Sequence, residues 1–554
     1  MTATGAIAKG PDGDGIDTFA RLALANIGVA IAAFGVASAM AIMQALSRAN
    51  LDLPFRSAGM YYMSVTAHGT LMAIVFTTFF IMGFGYVVAR HALGAALAMR
   101  RTAWLSFWIA VLGTVAAVAV ILAGKATVLY TFYPPLKAHP AFYIGLTLVV
   151  VGSWGWALVM LRALRVWRLA NPGRRIPLSV YGYAATIIVW LLATIGVAAE
   201  MLLQLIPWSL GWWATVDPVL ARMLFWWFGH PLVYFWLLPA YVVWYGLLPP
   251  AAGGKLFSEP LGRVVFAMFV LLSTPVGFHH QFMDPGVSSS WKLFHTFNTL
   301  LILYPSFVTA FTIVASLEIA GRMRGGRGVF GWIRRLPWGN PLVSSVILSM
   351  LLFAIGGWGG AINASFGMNA VIHNTSWVPG HFHTTVGSAS ALTFMGTCYL
   401  VVPQLLGRRL ELVPMARVQP WLWFLGMLLF SIPTHLTGLT GMPRRVFDPR
   451  YGDHPTAVSW HWLTNLSAVG GMVLFASALF FVLVMLFTLF GPRVPAEPIE
   501  FSEPLEDPGT KGAFLDRLGL LTALAAALIV IAYGYPIWQH LQMPRFGSPG
   551  FSPF

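Results

Sequence analysis

Charge and cysteine are the scarcest features of this sequence. Only 9% of its 554 residues are charged, against 58% hydrophobic, where soluble domains carry roughly 25% charged residues. That excludes an ordinary soluble chain and points to a polytopic membrane protein. The single cysteine, Cys398, lies inside an apolar run. Disulfides, thiolate clusters and a cysteine-ligated copper centre within this chain are excluded with it. Acidic side chains are few as well: 18 Asp and Glu stand against 33 Lys and Arg, a formal charge of +15. The basic residues cluster in short gaps between apolar runs, which is a topology signal and not a nucleic-acid footprint. The first 17 residues hold Asp12, Asp14 and Asp17 and no apolar core. They read as a cytoplasmic tail rather than a signal peptide.

A spanning helix needs ~20 mostly apolar residues. Thirteen segments qualify, near 19–46, 61–89, 102–123, 140–168, 178–206, 217–248, 261–283, 292–321, 341–362, 372–406, 417–440, 457–491 and 514–540. The expected fold is an all-α polytopic membrane protein of about thirteen transmembrane helices. One membrane domain covers 19–540, with no internal repeat. Its Pro- and Glu-rich stretch 492–513 reads as a polar cytoplasmic loop, and 541–554 as an outer tail. Arginines set the orientation. Arg90, Arg100 and Arg101, then Arg162, Arg165, Arg168, Arg174 and Arg175, then Arg322, Arg324, Arg327, Arg334 and Arg335, then Arg408 and Arg409 all fall on one side. The positive-inside rule makes that side cytoplasmic, with the N-terminus in and the C-terminus out. Arg444 and Arg445 break the pattern in an outer loop, so something there should favour positive charge.

Ionisable groups at membrane depth are costly and usually functional. Among the fourteen histidines, six within the expected spans form a coherent pattern: His68, His230, His279, His280, His381 and His383. In Trp377-Val-Pro-Gly-His-Phe-His383 two histidines are two residues apart on a helix. At ~100° per residue their side chains diverge by about 200°. One helix can therefore offer a ligand on each face, which suits two planar macrocycles flanking it. His230 and Tyr234 are four apart, neighbours on one face. His279 and His280 follow Pro275 and Gly277, which can loosen a helix and let both rings turn to one point. Three converging imidazoles suit copper, zinc or iron, and spacing alone does not choose. All six histidines lie in the outer half of the expected topology. Arg444 and Arg445 lie just above them, where they can pair with carboxylates such as haem propionates.

Together these motifs resemble subunit I of the haem–copper oxygen reductases, most of all the B family, the ba-type cytochrome c oxidases. The resemblance covers nearly the whole chain and implies that family's subunit I fold. It implies that His68 and His383 are the axial pair of a low-spin haem, b-type, and that His381 is the proximal ligand of a high-spin haem, a- or o-type. His230, His279 and His280 resemble the ligands of copper B. Tyr234 resembles a tyrosine covalently joined to a copper ligand, here His230, which donates an electron and a proton during O–O cleavage. Position 232 carries a glutamate in A-type oxidases and Leu232 here, which favours the B type with one proton route. Tyr234, Tyr241 and Tyr245 stand at i, i+7 and i+11, about 17 Å along a helix at ~1.5 Å per residue. With Ser306, Thr309 and Thr312 they resemble the family's K-channel analogue. His373 and Asn374 match residues beside the high-spin haem propionates, but Asn369 replaces an acid there.

The function implied is a terminal oxidase that reduces O2 to water at the high-spin haem–copper B centre, coupled to proton uptake and pumping. Implied partners are a subunit II carrying dinuclear copper A, a small accessory transmembrane subunit, cytochrome c as electron donor, O2 and membrane lipid, with no nucleic acid. The implied location is a bacterial or archaeal cytoplasmic membrane. One rival reading is nitric oxide reductase, which shares the six histidines but uses non-haem iron with glutamates close by. Between Trp226 and Tyr245 this chain has no Asp or Glu. The non-enzymatic rival is a transporter, which would bind no haem.

Overall fold

The computed structural model describes residues 17–49, 51, 57–94, 97–509 and 513–552. Most of the expected N-terminal tail, including Asp12 and Asp14, lies outside the described residues, as do 510–512 in the expected cytoplasmic loop and 553–554 in the outer tail. The described chain is mostly helical, with one two-residue strand pair, Thr215–Val216 against Ser548–Pro549.

Eleven described helices are long and apolar enough to cross a membrane. Numbered to include two shorter ones, they are α1 (Thr18–Arg48), α2 (Ala58–Leu93), α3 (Arg100–Leu122), α4 (Pro140–Ala170), α5 (Leu178–Ser209), α8 (Ser289–Met323), α9 (Pro341–Ala364), α10 (Trp377–Leu406), α11 (Val413–Leu439), α12 (Pro455–Phe490) and α13 (Leu518–Gln542). The other two expected spans are helices with breaks. In α6, Pro218–Gly229 and Pro231–Gly246 meet at His230, because Pro231 has no N–H to continue the ladder. In α7, Glu259–Leu272 ends well before residue 283, and Gly277–Gln281 continues as a 3-10 turn. Both breaks fall at expected metal-ligating histidines.

Helix starts follow the capping residues. Asp17 Oδ1 accepts from the Ala20 amide at 2.9 Å, and Asp217 Oδ1 from those of Val219 and Leu220 at 3.1 and 3.0 Å. Such caps satisfy amides that the helix leaves free. Between helices, small residues permit close approach, as is usual in membranes. A Cβ at Gly113 would stand 2.4 Å from the Gly145 carbonyl oxygen, so α3 and α4 touch backbone to backbone there.

The polar stretch after α12 does not hang free. The Ser502 amide donates to the Gly246 carbonyl at 2.7 Å, and the Leu505 amide to that of Leu256 at 2.7 Å. The segment is docked across the end of α6. Nearby, the fully buried Arg263 binds Glu259 at 2.5 Å, the Ile176 carbonyl at 2.6 Å and Asp516. That cluster ties the approach to α13 onto α5 and α7.

Candidate metal centres

The helix break in α7 brings adjacent histidines to one point. Beyond Leu272 the backbone is released, and His279 and His280 sit on a 3-10 turn. Together with His230, at the break in α6, each offers a ring nitrogen, and the three lie within 4.8 Å of one another. His230 Nδ1 is 3.0 Å from His280 Nε2, and two nitrogens bound to one ion at ~2.0 Å are about 3 Å apart. His279 Nδ1 is 2.8 Å from Thr299 Oγ1, whose own proton goes to the His295 carbonyl at 2.6 Å. Thr299 therefore accepts, and Nε2 of His279 is left as the free base. Trp226 lies flat on His280, with ring centres 3.7 Å apart and planes 4° off parallel. The other nitrogen of His230 is 3.1 Å from the Tyr234 hydroxyl.

The loop that carries this pair is braced from far along the chain. In α13 a π-turn, Val530–Gly534, places the buried Tyr533 beside the α7 break. Its hydroxyl accepts from the Gly277 amide at 3.0 Å and donates to the Thr274 carbonyl at 2.8 Å. His295 bridges the same elements, with Nδ1 accepting from the Phe278 amide at 3.3 Å and Nε2 donating to the Ala532 carbonyl at 3.2 Å. Both bonds fill backbone groups that the broken helices cannot satisfy themselves. Sequence reading missed Tyr533, His295 and Thr299. A histidine inside an apolar span was the available signal for His295.

The α10 pair is presented differently. His381 and His383 ride on ordinary helix, and they part as their spacing requires. His383 faces His68 of α2, with ring planes 3° apart and centres 6.2 Å apart. Two imidazoles on opposite sides of one iron, each nitrogen at ~2.0 Å, have centres ~6 Å apart. Each ring gives Nδ1 to a backbone carbonyl: His68 to Ala37 at 3.0 Å and His383 to Pro379 at 2.7 Å. His381 does the same with Gly356 at 2.9 Å. In all three, Nε2 is thereby left as the free base, the arrangement that commonly orients a metal-binding histidine. Beside His381, a Cβ on Gly360 would stand 3.0 Å from its Cε1, so a glycine there gives the ring room.

A cavity runs from His68 and His383 past Gly69 and Gly387 to Arg48, Arg444 and Arg445. Two nitrogens of Arg445, Nε and Nη2, are buried without a described hydrogen-bond partner. Arg444 binds Asn374 Oδ1 through Nε at 3.1 Å and Nη2 at 2.8 Å. Burial lowers Arg444 to about 10, which leaves it cationic at neutral pH. Asn369 donates to the Asn363 carbonyl at 2.6 Å, so its Oδ1 is the atom 3.2 Å from His373 Nδ1.

Residues 21–473 match the family described as cytochrome c and quinol oxidase polypeptide I. The cytochrome c oxidase subunit 1 of Thermus thermophilus is 45% identical over 529 residues, covering 91% of this chain and 92% of that protein.

The chain belongs to the haem–copper oxidase subunit I family.

More distant is the subunit 1 of Debaryomyces hansenii, 26% identical over 83% of this chain and 87% of that one. A haem–copper terminal oxidase dimer solved by cryo-electron microscopy superposes with a TM-score of 0.91 at 35% identity, covering 97% of this chain and 95% of its own. A subunit I of this family is the catalytic subunit of a membrane-bound cytochrome c oxidase. It carries haem and copper B and works with other subunits. The residues fit those groups: paired imidazoles at iron-bridging distance, a trio at one-ion distance, and guanidinium groups at the cavity's end.

Proposed function

We propose that this chain is a B-type oxygen reductase that reduces O2 to water and pumps protons. The observation that carries this is the imidazole trio with Tyr234 at its edge and, among the described residues, no carboxylate in the cluster. In this reading His68 and His383 hold a low-spin b haem, His381 a high-spin haem of a or o type, and His230, His279 and His280 copper B. Bound there, these groups supply electron transfer and the binding and reduction of O2. Arg444, Arg445, His373 and Asn374 hold the propionate ends.

The chain's own side chains handle protons. Tyr234, 3.1 Å from His230, is the group joined to that ligand, and its hydroxyl supplies a proton where oxygen is reduced. Leu232 leaves no second acidic route. The remaining route begins where Tyr245 Oη donates to Thr309 Oγ1 at 3.0 Å, with Thr312 one turn beyond. It continues where Tyr241 Oη donates to Ser306 Oγ at 3.1 Å. Between Tyr241 and Tyr234, Phe269 packs against both rings, at 5.6 and 5.3 Å. No described side chain bridges their hydroxyls, so a proton crosses that gap on water. At the other end Asn369 cannot carry a proton. His373, its Nδ1 engaged by Asn369, has Nε2 as the base for that task.

The same reading assigns thirteen crossings with the N-terminus in and the C-terminus out, in a bacterial or archaeal cytoplasmic membrane. Subunit II with copper A passes electrons from cytochrome c, and a small accessory subunit completes the complex. The test is O2 uptake by the purified complex in vesicles, driven by reduced cytochrome c. Consumption of O2 with acidification of the outer medium is expected. Turnover of nitric oxide without O2 uptake would instead favour the nitric oxide reductase reading.

A further inference from the structure

Three buried acids occur among the described residues: Glu200, Glu259 and Asp284. Glu259 faces Arg263 at 2.5 Å and Asp284 faces Arg222 at 3.1 Å. Glu200 is different. It is 0% exposed, and neither carboxyl oxygen has a described hydrogen-bond partner. No cation faces it. The titratable group within its reach is Tyr143, from α4, which packs on this part of α5. The Tyr143 hydroxyl accepts from the Ala138 amide at 3.1 Å, which leaves its own O–H as a donor.

Glu200 does not stand alone on its helix face. A π-turn, Met201–Leu205, follows it directly. One turn on is Gln204, 5% exposed, and another turn on is Trp208, 0% exposed. The Gln204 Nε2 and Trp208 Nε1 donors are also buried without a described partner. Leu202 and Leu203 point the opposite way, 58% and 60% exposed. The three polar groups thus form an inward stripe at i, i+4 and i+8, about 12 Å long at ~1.5 Å per residue. Its far end reaches the aqueous face that carries the Thr215–Val216 strand, where the half-buried Lys137 ammonium lies 5.2 Å from the Trp208 ring.

A carboxylate buried without a cation costs several kcal/mol, and each buried polar group without a hydrogen bond costs ~1–3 kcal/mol. A neutral acid removes the first cost. Water removes the second, since buried waters typically join ~3 such groups. We propose that Glu200 is a proton-binding site, a neutral carboxylic acid solvated by a file of water along Gln204 and Trp208 that reaches solution at Lys137. Exchange along the file conserves charge: the acid O–H passes its proton to one water as the carbonyl oxygen receives one from another. The site is separate from the histidine centres and does not depend on which metals they hold.

Infrared spectroscopy of the intact complex tests this. A carboxylic-acid carbonyl band should be present in the wild type, shift to lower frequency in D2O, and be missing from Glu200→Gln. A Glu200→Gln difference spectrum with only carboxylate bands would overturn the neutral acid. A band that stays unshifted after prolonged D2O exposure would overturn the water file. Gln204→Leu keeps the acid and removes the middle donor, so the band should remain and its exchange slow about tenfold. An unchanged exchange rate in that variant overturns the file even where Glu200→Gln fails to assemble.

Discussion

The α10 helix and the broken end of α7 each present two histidines, and they do it in opposite ways. On α10 the rings of His381 and His383 diverge because an intact helix turns ~100° per residue. The helix satisfies its own amides, so only single carbonyls, from Gly356 and Pro379, are needed to set the rings. On α7, His279 and His280 are adjacent, and an intact helix would separate them. They converge only because the helix has ended. The released backbone then needs partners from elsewhere, and Tyr533 and His295 supply them. Divergent ligands come from regular structure; convergent ones depend on distant braces.

Variants can break this comparison in order of effect. Loss of a ligand should be the most severe: His381→Ala should abolish O2 turnover and remove the high-spin haem spectrum, leaving the low-spin spectrum intact. Next, Tyr234→Phe separates chemistry from metal binding. Turnover should fall ~10²–10⁴-fold, the range of a lost proton donor, with haem spectra and copper content kept. Smaller still is the brace. Tyr533→Phe leaves the Gly277 amide and Thr274 carbonyl unpaired, at ~1–3 kcal/mol, and should weaken copper retention ~10–100-fold in a chelator titration. Both haem spectra should be unchanged. Smallest should be Thr384→Val on α10. Its hydroxyl only back-bonds to the Gly380 and His381 carbonyls, at 3.1 and 2.8 Å, so thermal stability should move by less than ~1 kcal/mol with both metals retained. A copper loss in Thr384→Val equal to that in Tyr533→Phe would erase the distinction between the two regions.

The same contrast explains what the sequence made legible. Spacing reports on intact helix, so the divergence of His381 and His383 and the Tyr241–Tyr245 stripe could be read directly. Apolar runs located the eleven long helices to within several residues. Convergence at His279 and His280 was readable only as a hint from Pro275 and Gly277, and the end of α7 was placed about ten residues late. Tyr533 could not be found, because its partners lie 256 and 259 residues away and a tyrosine in an apolar helix has no distinctive spacing. Glu200 is an acid inside an apolar run, a signal that the reading by spacing passed over.

In the proposed reading, three imidazoles from two interrupted helices hold copper while α10 holds haem on both faces. The decisive measurement is the copper and haem content of the purified complex, wild type against His279→Ala. The variant should lose one copper per chain while both haem spectra persist. Unchanged copper, or loss of haem in its place, would contradict it.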